Sequence, residues 1–234
     1  MLLRVISDVH SNLPALDAVL SHPDGTAADA TACLGDVVGY GADPAPCIAM
    51  VRGACDPVLA GNHDLGAGGV EPIGSFGPAA AVTVRWNRSV LDAESLGYLA
   101  GLPLTAGKGG CLLCHSFPPD PGSFTYILHP HQARTCCAVF PGRVMLTGHT
   151  HVPGVWLADG SFSTDPEGML PECCVVAAGS VGQPRDEDPR AAYLLLDTDS
   201  GWYRHVRVEY DIDRAAESIR AAGLPDGLWM RLYR

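Results

Sequence analysis

The chain has 234 residues, 47% hydrophobic and 18% charged, with a net charge of −11. That length allows a substantial core, and the apolar content excludes a disordered chain. The acidic balance, with no run of Lys or Arg, excludes non-specific nucleic-acid binding through a basic surface; it leaves phosphorylated substrates open, because bound cations can dominate a local field.

In chain order, residues 2–7 form an apolar run without clean alternation, as expected of a strand buried on both faces. Leu13, Leu16, Val19 and Leu20 have helical spacing over 13–20, with Pro14 acceptable in a first turn. Residues 30–34 predict a second strand, 44–51 a helix and 57–60 a third strand. This β-α-β-α-β order implies parallel, right-handed crossovers and an α/β fold. Gly-rich residues 66–77 read as a loop over the site. Helices are expected at 78–90 and 92–100, a hairpin at 104–105 and 110–115, and a Pro-rich loop at 116–122. A helix at 130–138 and a strand at 143–147 follow. Further strands are expected at 154–157, 173–177, 191–197 and 202–209, then a final helix from about 213 to 222. With no repeat or linker in view, residues 1–234 read as one domain.

Nine cysteines stand in a chain that opens straight into a strand rather than a signal peptide. No stretch approaches the roughly 18 apolar residues of a membrane helix. The expected setting is cytoplasmic, with reduced thiols and no membrane association. Cys111 and Cys114 have zinc-ribbon or redox spacing, but no second such pair exists. Cys136-Cys137 and Cys173-Cys174 are adjacent doublets, so buried small hydrophobes are the preferred reading.

The chemistry is concentrated in five short pieces. They are Asp8-Val9-His10, Gly35-Asp36, Gly61-Asn62-His63-Asp64, His115 and Gly148-His149-Thr150-His151. Each follows a predicted strand, and functional groups in open α/β sheets gather beyond the carboxyl ends of strands. Taken singly, Asp8 could cap the helix near Leu13, Asp36 could be a turn residue, and His115 could be a core histidine. Jointly, Asp8, His10, Asp36, Asn62, His115, His149 and His151 supply oxygen and nitrogen ligands for two divalent cations. Asp36 is suited to bridge them with its two oxygens. With only two carboxylates the cage keeps a net positive charge, which suits a phosphate oxygen and a metal-activated hydroxide. His63 is not needed as a ligand and is read as catalytic, donating a proton to a leaving alkoxide or holding phosphate. Asp64 is grouped with it, orienting either the adjacent backbone or a ligand histidine.

This ordered set resembles the calcineurin-like metallophosphoesterase superfamily. Gly35-Asp36-Val37-Val38-Gly39-Tyr40-Gly41 and Gly179-Ser180-Val181-Gly182-Gln183-Pro184-Arg185-Asp186 extend the likeness to its small prokaryotic phosphodiesterase branch. The resemblance implies a four-layer α/β/β/α sandwich of two mixed sheets. It implies one metal held by Asp8, His10, Asp36 and His151, and another by Asp36, Asn62, His115 and His149. A bridging hydroxide would attack phosphorus in line, with His63 assisting the leaving group. Mn is the first expectation for the metal, with Fe, Ni, Co or Zn as substitutes. Gly39 and Tyr40 replace the Asp and Arg of the protein Ser/Thr phosphatase branch, and Asp64 replaces its Glu. Those replacements weaken the protein phosphatase and dinucleoside polyphosphate hydrolase readings. Ala178 stands where the prokaryotic branch often has Pro, with little expected consequence.

The expected substrate is a small-molecule or nucleotide-like phosphoester, with no stable nucleic-acid complex. A non-catalytic scaffold ranks lower, because all seven ligands and His63 are present. Tyr40, Arg185 and residues 116–131, including Tyr126, His129 and His131, are candidates for the pocket border. Arg185 has two open readings: contact with phosphate, or a surface pair with Asp186 or Asp188. Oligomeric state is not readable from the chain.

Overall fold

The computed structural model describes residues 1–234. Its strands in chain order are β1 (Leu2–Ile6), β2 (Ala30–Cys33), β3 (Thr105–Lys108), β4 (Cys111–Cys114), β5 (Val144–Thr147) and β6 (Gly154–Leu157). They continue with β7 (Phe162–Ser163), β8 (Glu167–Met169), β9 (Cys174–Ala177), β10 (Ala191–Asp197) and β11 (Trp202–Val208). One sheet has the order β2-β1-β10-β11-β8, the other β3-β4-β5-β9-β6-β7. Both are mixed. β1 runs parallel to β2 but antiparallel to β10, and β5 runs parallel to β4 and β9 while β6 and β9 are antiparallel.

The period-2 alternation of strand side chains builds the layers. Leu3, Val5, Leu194 and Leu196 of the first sheet meet Leu113, Leu146 and Val176 of the second in one buried cluster. The intervening residues face outward. Ile6, Tyr193 and Leu195 pack with Leu16, Val19, Ile48 and Val51 of the helices Leu13–Ser21 and Pro44–Ala54. On the far side, Met145 and Val175 pack with Cys136 of the helix Pro130–Val139. The result is the four-layer α/β/β/α sandwich. β10 is buried along nearly its whole length, which accounts for its lack of polar alternation.

Three expectations need correction. Residues 57–60 do not form a strand: Val58 makes one isolated parallel bridge to Cys33. Pro57 contributes only its carbonyl, which accepts from Cys33 N–H, and pairing stops after Leu59 N–H donates back to Cys33. The loop expected at 66–77 begins inside a helix, Asn62–Gly68, which ends where Gly69 turns to φ +87°. The helix expected to be last, observed as Ile212–Ala221, is followed by Asp226–Met230 and a 3-10 turn, Arg231–Tyr233. Gly223 (φ +68°) and Pro225 break the run, and Leu224, Leu228 and Leu232 then pack back on Ala215, Ala216 and Ile219.

All nine cysteines are free, and Cys111 and Cys114 are both buried. No helix is long and apolar enough to cross a membrane. Leu194 is fully buried between the sheets. Leu194→Ala is expected to cost about 2–5 kcal/mol of stability, read as a lower urea midpoint with an unchanged slope; a loss well below 1 kcal/mol would contradict the central packing assigned to it.

Candidate metal centre

Asp8 follows β1, Asp36 follows β2, His115 follows β4, and His149 and His151 follow β5. Asn62 opens the helix after the Val58 bridge. The carboxyl ends of strands from both sheets thus converge on one point. Asp8, His10, Asp36, His149 and His151 all have left-handed backbones, with φ between 50° and 65°. Such a conformation costs a non-glycine residue on the order of 1–3 kcal/mol. Here it turns each side chain back across the strand end. Gly148 lets the β5 loop come this close, since a Cβ there would run into Ser7 Oγ and Asp8 Oδ2.

Three donor groups lie within mutual reach: Asp8, His10 and His151; His10, Asp36 and His63; Asp36, His115 and His149. Each of the four candidate ligand histidines has one ring nitrogen fixed by a backbone carbonyl. Nδ1–H of His10 donates to Val38 (3.2 Å), that of His115 to Leu34 (3.1 Å), and that of His151 to Gln183. His149 is reversed, with Nε2–H donating to Phe124 (2.8 Å). A carbonyl only accepts, so these contacts place a proton on the carbonyl-facing nitrogen and turn the opposite nitrogen of each ring toward the centre, bare wherever the ring is neutral.

The bare atoms do not satisfy one another. Nε2 of His10 and Nε2 of His151 face each other at 3.1 Å. With both protons on Nδ1 this is lone pair against lone pair. Asp8 Oδ1, Asn62 Oδ1 and His115 Nε2 are buried without a hydrogen-bond partner. Asp8 Oδ1 lies 3.3 Å from His151 Nε2, and Asp36 Oδ2 lies 3.4 Å from His115 Nε2 and 3.7 Å from His10 Nε2. Asp36 differs from the expectation in one detail. Its Oδ1 accepts from His63 N–H at 2.9 Å, so a single oxygen, Oδ2, faces both halves of the cluster. Two buried carboxylates among inward-facing imine nitrogens form a donor set that fits divalent cations.

Burial and charge act differently on each ring. Burial lowers His115, but Asp36 and Asp8 outweigh it and push the imidazole up to about 9. Burial dominates at His149, pushed down to about 3, and at His63, pushed down to about 4. Asp64 is pushed up to about 7, by burial first and then by Asp36. Its two oxygens accept from Val38 N–H (3.1 Å) and Gly61 N–H (3.0 Å). Asp64 therefore ties the Asn62 loop to the Asp36 loop.

Above the cluster opens a cavity of about 630 Å³, lined by Tyr40, Asn62, His63, Tyr126, His149 and Arg185 among others. Tyr126 stacks on the His149 ring at 3.9 Å. Two expected border residues do not reach it. His129 and His131 are exposed and stack on each other at the start of the helix Pro130–Val139. The Gly-rich segment supplies Phe76, whose ring lies 5.4 Å from that of His63. Leu228 and Arg231 also line the cavity but were not anticipated. The available signal was the four-residue spacing of Leu224, Leu228 and Leu232.

An α/β/β/α sandwich with an Asp/Asn/His cluster at its strand ends defines a metallophosphoesterase-type architecture. The family model for the calcineurin-like phosphoesterase superfamily domain matches residues 1–201, and the chain belongs to that superfamily. It is similar to a metallophosphoesterase from Sphaerobacter thermophilus of known crystal structure, with 36% identity, a TM-score of 0.88, and coverage of 99% of this chain and 98% of the other. An uncharacterized protein from Methanocaldococcus jannaschii is 34% identical over 241 residues, covering 99% of this chain and 97% of the relative. A hypothetical protein from Pyrococcus horikoshii OT3 shares the fold at 21% identity and a TM-score of 0.81, covering 100% of this chain and 98% of that one.

Asp36 and Asp8 outweigh burial and hold the His115 imidazole above its ordinary value, so a cation competes with a proton at that ring. Metal uptake is expected to release protons, and apparent affinity to rise with pH. Calorimetry in buffers of different ionisation enthalpy measures both; uptake without proton release would contradict the assigned charge state.

Proposed function

We propose that this chain hydrolyses phosphodiester bonds, and phosphomonoesters as well, at a centre of two divalent cations. The observation that carries this reading is the 3.1 Å apposition of two imidazole lone pairs beside buried, unpartnered ligand atoms. Asp8, His10, Asp36 and His151 would hold one ion. Asp36, Asn62, His115 and His149 would hold the other. Bound there, the cations supply Lewis-acid polarisation of the phosphoryl oxygen and lower the pKa of water at the site. Mixed nitrogen and oxygen donors suit Mn, Fe, Ni, Co or Zn, and availability decides among them, with Mn the first candidate. The nine free cysteines support a reducing, cytoplasmic setting.

The protein's own groups do the rest. Asp36 Oδ2 joins the two halves of the centre, and Oδ1 holds the backbone of His63 in place. His63 borders the cavity, and its buried Nδ1 has no partner. Its ring lies 4.9 Å from that of His10, close to the reacting position. Pushed down by burial, His63 is neutral before substrate arrives. An anionic ester beside it favours the protonated ring, which then gives its proton to the leaving oxygen. Asp64 maintains the loop geometry that both Asn62 and His63 need. The aromatic wall of Phe76, Phe124 and Tyr126 suits an aryl or nucleotide-like group on the ester.

The complete ligand set and the retained His63 favour catalysis over a scaffold role. The test is hydrolysis of a bis-aryl phosphate diester, an aryl monoester, cyclic nucleotides and a dinucleoside tetraphosphate with Mn²⁺, Ni²⁺, Zn²⁺ or Mg²⁺. The diester is expected to turn over fastest. His63→Asn is expected to lower kcat by about 10²–10⁴-fold with the metal content unchanged by elemental analysis. Activity within a few-fold of the wild type would remove His63 from the mechanism. No turnover of any ester by metal-loaded protein would overturn the enzyme reading.

A further inference from the structure

Arg185 is half-buried and lines the cavity beside Asn62, His63 and His149. It makes no ion pair, because the carboxylates that follow it in sequence are engaged elsewhere. Asp186 pairs with Arg207, and Asp188 pairs with Arg190 at 2.7 Å. The alternative reading, a surface pair with Asp186 or Asp188, is therefore excluded by geometry. What Arg185 does contact is weak. Its Nη2 lies 3.5 Å from Tyr40 Oη and 3.5 Å from Gln183 Oε1, at the limit of hydrogen bonding. Its Nε is buried with no acceptor. The guanidinium carbon lies 6.0 Å from the Tyr40 ring centroid, a distant cation–π contact.

A guanidinium is permanently charged, and a partly desolvated one without a counter-charge is costly. Its backbone is also firmly placed. Gln183, two residues earlier, accepts at its carbonyl from His151 Nδ1–H and donates its N–H to Ser180 Oγ. The segment that orients a candidate metal ligand therefore also presents an unpaired cation to the cavity wall that it shares with His63. A planar fork of donors fits the non-bridging oxygens of a phosphate.

We propose that Arg185, beside Tyr40 and Gln183, is the substrate-binding residue that grips a non-bridging phosphoryl oxygen from the protein side of the cavity. The inference rests on the phosphoesterase reading above. Arg185 sets where the phosphorus atom sits between the metal cluster and His63, so its loss acts first on binding.

The test uses the manganese-loaded full chain and inorganic phosphate as the probe, followed by calorimetry, with KM for a bis-aryl phosphate diester measured in parallel. Arg185→Gln is expected to weaken phosphate binding at least tenfold and to raise KM similarly. Its manganese content and thermal midpoint should match the wild type. Arg185→Lys, which keeps the charge but not the fork, is expected to fall between the two. Wild type that loads manganese and binds phosphate, with Arg185→Gln binding it within twofold, overturns the proposal and leaves the phosphoesterase reading intact. Wild type that neither loads manganese nor binds phosphate overturns both. Lower manganese content in Arg185→Gln and Arg185→Lys alike also overturns it, because Arg185 would then be supporting the His151 segment rather than the substrate.

Discussion

Two histidines that point their bare nitrogens at each other set the terms for the whole molecule. His10 Nε2 and His151 Nε2 approach to 3.1 Å because each ring is held from behind by a backbone carbonyl, of Val38 and Gln183 respectively. Neither ring can change tautomer without losing that bond. The repulsion can be relieved only by something positive between them. His115 and His149 are held from behind in the same way, by the carbonyls of Leu34 and Phe124. Three segments distant in sequence thus turn imidazole nitrogens toward one centre.

The sandwich is the device that holds this arrangement. Five candidate ligand residues adopt left-handed backbones, each of which would be avoided in an unconstrained loop. The strands beneath them are almost fully buried and pack sheet against sheet through Leu3, Leu113, Leu146 and Leu194. That packing over-determines the loop starts and leaves the strained residues no relaxed alternative. Asp64 adds a local clamp between the Asp36 and Asn62 loops, and Gly148 removes the one Cβ that would keep the β5 loop away from Asp8. Stability in the core is in this sense spent on geometry at the rim.

Much of the site was legible in the chain because ligand chemistry is written in residue type and position after a strand. Asp8, Asp36, His115 and the His149–His151 pair each end an apolar run, and that alone placed them beyond the carboxyl ends of strands. Other features were not legible, for physical reasons. Whether residues 57–60 pair as a strand depends on partners that composition cannot show, and Pro57 left only one bridge at Val58. The helix Asn62–Gly68 is rich in glycine, so its own propensity argued against it; tertiary contacts override that. The fates of Arg185, Asp186 and Asp188 could not be separated in sequence. Only the approach of Arg190 and Arg207 to the two aspartates leaves Arg185 unpaired. The cavity wall formed by Leu228 and Arg231 depends on the chain turning back at Gly223 and Pro225.

The most direct test of the account is a crystal of the protein soaked in Mn²⁺ and measured for anomalous scattering at the manganese edge. The proposed centre predicts two peaks about 3.5–4 Å apart, one contacted by Nε2 of His10 and His151, the other by Nε2 of His115 and Nδ1 of His149, with Asp36 Oδ2 between them. An empty cluster at saturating manganese, or a single peak bound outside these seven side chains, would contradict it.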